Sequence, residues 1–388
     1  MDLIKRKLET AIKSSIKNSQ ITIIYGLRQV GKTTLIQKIL EEHKSNVLKL
    51  SGDLKSDREI LGEDNLEELV GTLESGQVLF VDEAQRVENI GLVSKYIADN
   101  CDVKIILTGS SSFDLANKIK EPLTGRSNEF HLLPLSYFEQ KRYAVKHIKQ
   151  KSLESNLLFG SLPAVFLSNN NEKLLKLNQL SGSYLYKDIL DFQDIRNSNK
   201  LEDILQVLSN NLGQITSMNN LAQLSEMNRR TLLKYMDLLE NNYIVYGLRP
   251  YGKRLNRQIN TKMKYYFTDL GIRNTYNNFS KIDSRVDKGA LFENFIVNEF
   301  KKSFSNNNVL FSKFYFYRNY DGQEVDLIIT SGKSTYAIEI KYSEKAKARI
   351  PNDLPVDDSC YTSVVNRLNF DIEIEVITKR CLDEQTFA

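Results

Sequence analysis

Residues 26–34 read Gly-Leu-Arg-Gln-Val-Gly-Lys-Thr-Thr and match the pattern G-x-x-x-x-G-K-[ST]. The apolar, β-branched run at 21–25 predicts a buried strand, and the apolar spacing over 33–40 predicts a helix. A strand, a glycine loop and a helix in this order direct backbone N–H groups and the positive end of the helix dipole at one point. The natural occupant of that point is a polyphosphate, so we predict a nucleotide-binding site here.

Several residues of this loop have predicted roles in holding a nucleotide. The two glycines permit the tight turn and the close approach of the phosphates. The lysine reaches the β- and γ-phosphates, and the hydroxyl of the first threonine binds Mg²⁺. The loop residues assigned to the nucleotide site are Gly26, Arg28, Gly31, Lys32, Thr33 and Thr34.

A second apolar run, at 78–81, ends in Asp82 and Glu83. Such a run suits a central parallel strand whose carboxyl end faces the phosphates. Asp82 would hold the Mg²⁺ through water, and Glu83 would orient and deprotonate the attacking water. An apolar run that ends in Asp-Glu is often only the end of a strand. Its position downstream of the phosphate loop favours the catalytic interpretation.

A third apolar run, at 103–107, ends in five hydroxyl and glycine residues, Thr108-Gly109-Ser110-Ser111-Ser112. We assign Thr108 to the nucleotide site, where hydroxyls at the tip of a strand would sense the γ-phosphate or position water. A serine-rich turn that caps a helix beginning at Phe113 also explains this run.

Arg126 is the main candidate for a transition-state arginine, because spreading the charge of a γ-phosphate needs a planar, permanently charged donor. Arg28 is a weaker second candidate. The alternative for Arg126 is a surface ion pair. Action in trans would make the protein a homo-oligomer whose subunits complete each other's sites.

The sequence motifs GLRQVGKTT, LFVDEAQ, ILTGSSS and LTGR resemble those of the AAA-type ATPases. More narrowly, the sequence is similar to a family of prokaryotic AAA-like ATPases that carry a winged helix and a nuclease-like module behind the ATPase. The resemblance runs through nearly the whole chain and implies an α/β fold with a parallel-sheet ATPase core, using ATP and Mg²⁺. The predicted domains are an AAA-type ATPase core at 1–140, a helical lid at 141–200, a winged helix at 201–280 and a restriction-endonuclease-like domain at 281–388.

Three helical stretches between 201 and 239, followed by strand-like runs at 243–248 and 264–267, resemble a winged helix. Arg229, Arg230 and Lys234 would lie on the exposed side of the third helix, where a recognition helix meets the major groove. The loop between the strands has no acidic residue and fits a wing that touches phosphates. Its cations are Arg249, Lys253, Arg254, Arg257 and Lys262. Winged helices on ATPase cores also act as lids or protein-docking surfaces, so DNA and a protein partner both stay open.

The last hundred residues contain a second constellation of charged side chains. Period-two geometry puts Glu324 and Asp326 on one face of a predicted strand, and Glu339 and Lys341 together on the next. With Glu293 on the preceding helix, the arrangement resembles the PD-(D/E)-x-K nuclease fold. The resemblance implies Mg²⁺ bound by Asp326 and Glu339 with help from Glu293, and Lys341 beside the attacking water. An intact quartet can also persist without cleavage activity.

Composition and charge narrow the class of protein. The chain is 41% hydrophobic and 26% charged, as in globular proteins, and its net charge of +4 is too small to establish a polyanionic partner. Three cysteines without C-x-x-C spacing indicate neither a disulfide framework nor a zinc site. No uncharged apolar run approaches the roughly 18 residues of a membrane span. We expect a soluble, cytoplasmic protein without a membrane partner.

Two functional hypotheses follow from the sequence. The first is an ATPase that acts on DNA by binding it or by metal-dependent cleavage. The alternative is a nucleotide-gated binding switch, in which an inactive nuclease-like domain recruits a protein partner.

Overall fold

The computed structural model describes residues 4–43, 46–110, 123, 125–141, 149–181, 198–252, 262–345, 350–351, 353–356 and 360–385. The chain divides into two compact units, Met1–Pro134 with Asn241–Tyr243, and Leu135–Glu240 with Ile244–Ala388. The four predicted domains stay a prediction. No helix in the described ranges is long and apolar enough to cross a membrane.

The first unit contains a five-stranded sheet in the order β2-β3-β4-β1-β5, in which all neighbouring strands are parallel. Its strands are β1 (Ile21–Tyr25), β2 (Val47–Ser51), β3 (Val78–Asp82), β4 (Lys104–Gly109) and β5 (Ser127–His131). Its helices are α1 (Glu9–Asn18), α2 (Lys32–His43), α3 (Lys55–Ile60), α4 (Leu66–Thr72) and α5 (Ile90–Asn100). This architecture confirms the predicted α/β core with a parallel sheet.

The core of the first unit explains why these runs of sequence form strands. Ile23, Val81 and Leu107 lie on three adjacent central strands and are at most 1% exposed. They belong to the same core as Val93 and Ile97 of α5. A central parallel strand is covered on both faces, which requires a continuous apolar run rather than alternation. Because the strands are parallel, the carboxyl ends of β1, β3 and β4 meet at one edge of the sheet.

The second unit is built around a seven-stranded mixed sheet in the order β12-β11-β10-β9-β7-β8-β6. Its strands are β6 (Ile215–Thr216), β7 (Val245–Pro250), β8 (Met263–Phe267), β9 (Lys313–Arg318), β10 (Glu324–Ser331), β11 (Ser334–Ile340) and β12 (Cys360–Val365). Its helices are α6 (Tyr137–Lys141), α7 (Lys149–Phe159), α8 (Pro163–Phe166), α9 (Asn170–Gln179), α10 (Ser198–Asn210), α11 (Met218–Leu224), α12 (Arg229–Asn241), α13 (Leu270–Thr275), α14 (Lys288–Asn306) and α15 (Phe370–Gln385).

This sheet extends across the predicted boundary between residues 280 and 281. The predicted wing strands β7 and β8 are antiparallel neighbours, and β7 also pairs in parallel with β9. The pairs in that second ladder are Arg249 with Tyr315 and Pro250 with Phe316. The predicted winged helix and the predicted nuclease-like domain therefore share one sheet.

Helix α14 fixes the position of β8. The Asn294 amide accepts a hydrogen bond from the Phe267 N–H at 3.0 Å and donates to the carbonyl oxygen of the same residue at 2.9 Å. Asn298 donates to that carbonyl oxygen as well, at 2.9 Å. A buried amide satisfied in this way holds backbone and helix in one register. Glu293, next to Asn294, is thereby placed close to the side chains of β8.

Glu240, near the end of α12, is an acid in this unit whose titration should affect stability. Burial, helped by the charge of Asp237, raises the pKa of Glu240 to about 7, although Lys301, Arg249 and the Gly247 N–H oppose the rise. The unfolded chain releases this proton near pH 4.5. The stability that protonated Glu240 contributes is therefore complete below pH 4.5 and is lost as the pH rises through about 7.

We expect Glu240→Gln to be more stable than the parent at pH 8 by about 1 to 3 kcal/mol, because a neutral amide removes the cost of burying the charge. The difference should shrink strongly near pH 4.5. Urea unfolding at both pH values measures it, with the exposed Glu202→Gln on α10 as the matched control. A pH-independent difference between Glu240→Gln and the parent would contradict the assignment.

Candidate functional site

The loop after β1 has the backbone geometry that close approach of a phosphate requires. Gly26 has a φ of +154° and Gly31 a φ of +92°, conformations that side-chain-bearing residues rarely adopt. A Cβ atom on Gly26 would lie 2.2 Å from the carbonyl oxygen of Leu132. Both positions therefore need glycine for reasons of the fold as well as of ligand approach.

Lys32 places a buried positive charge over this loop. The residue is 5% exposed, and its Nζ donates to the carbonyl oxygens of Gly26 at 2.8 Å and Leu27 at 3.3 Å. An ammonium held beside a loop of backbone N–H groups is suited to the oxygens of a polyphosphate. Of the other predicted loop residues, Arg28 is half-buried and Thr34 is exposed.

The ends of β3 and β4 and the first turn of α2 meet at the carboxylate of Asp82. The Thr33 hydroxyl donates to its two oxygens at 3.0 and 2.9 Å, and the Thr108 hydroxyl donates to Oδ1 at 2.5 Å. A carboxylate and a hydroxyl are the hard oxygen ligands that Mg²⁺ prefers. The donor set of Thr33 and Asp82 therefore fits Mg²⁺.

Glu83 is held in one orientation beside these groups. Its backbone is left-handed, with a φ of +48°. Its carboxylate accepts hydrogen bonds from Gln85 Nε2 at 2.6 Å and Ser110 Oγ at 3.1 Å. Burial acts to raise the pKa of Glu83, but the charge of Lys32 and these two hydrogen bonds outweigh it and lower the pKa overall. The carboxylate is therefore ionised at neutral pH.

Gln85 is a site residue that the sequence analysis did not identify. It is 1% exposed and also donates to Ser110 Oγ at 3.0 Å. A polar residue that follows a buried strand by three positions is a weak signal, because many such residues lie in solvated turns.

The structure does not bring Arg126 to the nucleotide site of its own chain. Ser127 pairs with Ile21 at the start of β1, whereas the phosphate loop follows the end of β1. At about 3.3 Å per residue, the two edges of the sheet are separated by roughly 15 Å. Arg126 instead forms an exposed ion pair with Asp99. The surface ion pair is thus what the structure shows, and action in trans stays a prediction.

The second unit gathers four carboxylates, which we call the acidic cluster: Glu293, Glu324, Asp326 and Glu339. A lysine from β8 lies among them. The Nζ of Lys264 is 2.9 Å from Glu293 Oε1, 2.5 Å from Glu324 Oε1 and 3.8 Å from Asp326 Oδ1. Burial acts to lower the pKa of Lys264, but these carboxylates more than reverse the effect and raise the pKa overall.

Lys341 neutralises the other side of the acidic cluster. Its Nζ lies 2.7 Å from Glu339 Oε2 and 3.3 Å from Asp326 Oδ2. Asp326 Oδ2 also accepts the N–H of Ile340 at 2.8 Å. Burial and the neighbouring Asp326 raise the pKa of Glu339 to about 7, although Lys341 opposes the rise.

The predicted metal ligands Glu293, Asp326 and Glu339 therefore come together, but around two ammonium groups. In the described part of the chain, no group of three or more His, Cys, Asp or Glu side chains is arranged to hold a metal ion. The sequence prediction of a Mg²⁺ site here omitted Lys264, a lone cation in the otherwise apolar strand 263–267. A single charged residue in a buried strand indicates that this lysine is paired, but the spacing does not indicate which acids it contacts.

The predicted DNA-contacting residues of α12 are exposed. They are Arg229, Arg230 and Lys234. Arg254, the fourth residue of that prediction, lies outside the described residues.

The parallel sheet and the phosphate loop of the first unit match a P-loop ATPase core, and the unit is similar to AAA-type domains. Residues 18–141 match the family model of an AAA domain, and residues 150–283 and 288–362 match two domains of unknown function (DUF8612 and DUF4143). These findings support a P-loop ATPase family.

Particular relatives come from archaea and bacteria. An uncharacterized protein of Methanocaldococcus jannaschii is 26% identical over 413 residues, covering 97% of this chain and 88% of its own length. An uncharacterized protein of Haemophilus influenzae is 24% identical over 277 residues, covering 65% and 68%. The Walker-type ATPase of Pyrococcus abyssi is similar in fold, with a TM-score of 0.50 and 16% identity over 71% of this chain and 96% of that chain.

Proposed function

We propose that the first unit binds ATP together with Mg²⁺ and hydrolyses it, and that this activity is coupled to DNA binding by the second unit. The observation that carries this proposal is the convergence of Lys32, the Thr33–Asp82 pair and Glu83 at one edge of the parallel sheet. This edge is where α/β proteins of this kind bind ligands.

Each of these groups has a distinct task in the proposed reaction. The loop N–H groups and Lys32 bind and orient the phosphates. Thr33 and Asp82 would hold Mg²⁺, which supplies positive charge against the triphosphate. Glu83 orients the attacking water and accepts its proton, while Gln85 and Ser110 keep the carboxylate in place.

The test is phosphate release from ATP by the full chain, measured with Mg²⁺ and again with excess EDTA. We expect turnover that requires the metal. Calorimetry with a non-hydrolysable ATP analogue and Mg²⁺ reports binding separately. A folded protein that gives neither heat nor phosphate release would exclude this proposal.

For the second unit, we propose duplex DNA as a partner. Arg229, Arg230 and Lys234 are exposed and lie within about 140° of the circumference of α12, given 100° per residue. Three cations on one helix face can contact neighbouring phosphates. The charge of this face, rather than the net charge of the chain, supports the proposal.

Replacing Arg229, Arg230 and Lys234 by alanine should weaken duplex DNA binding about tenfold or more at low salt, and should lower the slope of log affinity against log salt by about 2 to 3. Fluorescence anisotropy with labelled DNA measures both. The matched control removes the same charge at exposed sites elsewhere in the second unit, namely Lys281, Lys313 and Lys379. Equal losses in the two triple variants would show that only net charge matters.

The alternative function, a nucleotide-gated switch that recruits a protein through an inactive nuclease-like domain, has support of its own. Phosphodiester cleavage by such a fold needs a metal at the acidic cluster. The ammonium of Lys264 lies there, within 3.0 Å of two of its carboxylates. This geometry favours binding over cleavage as the role of the second unit.

A further inference from the structure

Lys264 is among the most buried cations in the described residues, and its surroundings are unusual for a lysine. Lys264 is 1% exposed and lies on β8, whereas Glu324 and Asp326 lie on β10. β7 and β9 separate these two strands in the sheet. The Nζ of Lys264 lies 5.7 Å from the centroid of the Phe316 ring on β9.

Three carboxylates from two different elements converge on this one nitrogen atom. Glu293 comes from α14, and the other two come from β10. The three N–O distances are 2.9, 2.5 and 3.8 Å. An ammonium has three donors and no acceptor, so it can serve three carboxylates at once. Tyr266 completes the surroundings by donating to Glu293 Oε1 at 2.6 Å.

The same three carboxylates would otherwise be an attractive ligand set for a hard divalent cation. Mg²⁺ would draw its oxygens to about 2.0–2.1 Å. Here Glu293 and Glu324 lie at hydrogen-bonding distances from the Lys264 nitrogen atom instead, and Asp326 lies at ion-pair distance from it. The residues as arranged therefore do not fit a bound Mg²⁺.

We propose that Lys264 is the resident cation of the acidic cluster, and that it takes the place of a divalent metal ion so that the intact protein binds none there. The inference concerns the second unit and does not depend on ATP hydrolysis in the first. It also assigns Lys264 a connecting role, because one ammonium joins β8 to both α14 and β10.

The experiment is a titration with Mn²⁺ alone, without nucleotide, in which electron paramagnetic resonance measures the free ion. It uses the full chain as parent, Lys264→Ala, Lys264→Arg, Asp326→Asn and the double variant Lys264→Ala/Asp326→Asn. The parent, Lys264→Arg and Asp326→Asn should bind equal numbers of Mn²⁺ ions per chain. Lys264→Ala should bind one more ion, at least tenfold more tightly than the double variant does.

Two results would overturn the inference. One is a Mn²⁺ site in the parent that disappears in Asp326→Asn, since the metal would then displace Lys264. The other is a Lys264→Ala variant with the circular dichroism of the parent and no additional Mn²⁺. If Lys264→Ala does not fold, the comparison of the parent with Asp326→Asn still decides. Equal binding supports the inference, and a loss of one ion overturns it.

Discussion

Replacing Lys32 by alanine is expected to weaken ATP binding about a hundredfold, which corresponds to about 3 kcal/mol. The buried ammonium lies over the loop, and its loss removes the charge that the loop lysine places beside the phosphates. Hydrolysis should fall to background at ATP concentrations that saturate the parent. Isothermal titration calorimetry with Mg²⁺ and a non-hydrolysable analogue measures the affinity directly.

Lys55→Ala is the matched control for this loss of charge in the first unit. Its side chain is 84% exposed and pairs only with the exposed Glu59 in the contacts described for it. Exposed pairs of this kind contribute about 0 to 1 kcal/mol to stability. If Lys32→Ala has the circular dichroism and the ATP affinity of the parent, the loop at 26–34 is not the nucleotide-binding site.

Glu83→Gln should separate binding from chemistry. The amide keeps the shape of the side chain and an oxygen that accepts from Gln85 and Ser110, but it is too weak a base to take a proton from water. We expect kcat to fall by about 10² to 10⁴, while ATP affinity stays within about threefold of the parent. Steady-state phosphate release and calorimetry on the same preparation give the two quantities.

Glu88→Gln is the control for Glu83→Gln, because Glu88 is an exposed acid in the same segment after β3. It should leave kcat and affinity unchanged. A Glu83→Gln variant that hydrolyses ATP at the parent rate would assign the proton acceptor to another group. Lost affinity without lost turnover would point to a role in binding instead.

The nucleotide site could be predicted from sequence because its parts are local. Gly26, Gly31, Lys32 and Thr33 lie within eight residues, and the backbone of one strand–loop–helix unit fixes their relations. The apolar run before Asp82 also predicts a central strand, and parallel strands bring their carboxyl ends together. Local pattern and simple sheet geometry were sufficient there.

The positions of Arg126 and Lys264 in the fold could not be predicted in this way. The position of Arg126 depends on which end of β5 it occupies and on the register of β5 against β1. The position of Lys264 depends on the fold of β8 against strands that follow it by some sixty residues in the chain, a long-range arrangement. Neither relation leaves a mark in the spacing of nearby residues. Glu324, Asp326, Glu339 and Lys341 could be grouped by period two, but Lys264 could not.

The sheet shared by residues on both sides of position 280 has a consequence for how this chain can be divided. A fragment that ends at residue 280 contains β7 without its neighbour β9. The remaining fragment contains β9 with the edge that paired with β7 exposed. Exposed edge strands pair readily with other chains. We therefore expect deletions, fusions and recombination events to keep the strands on both sides of residue 280 together in one piece.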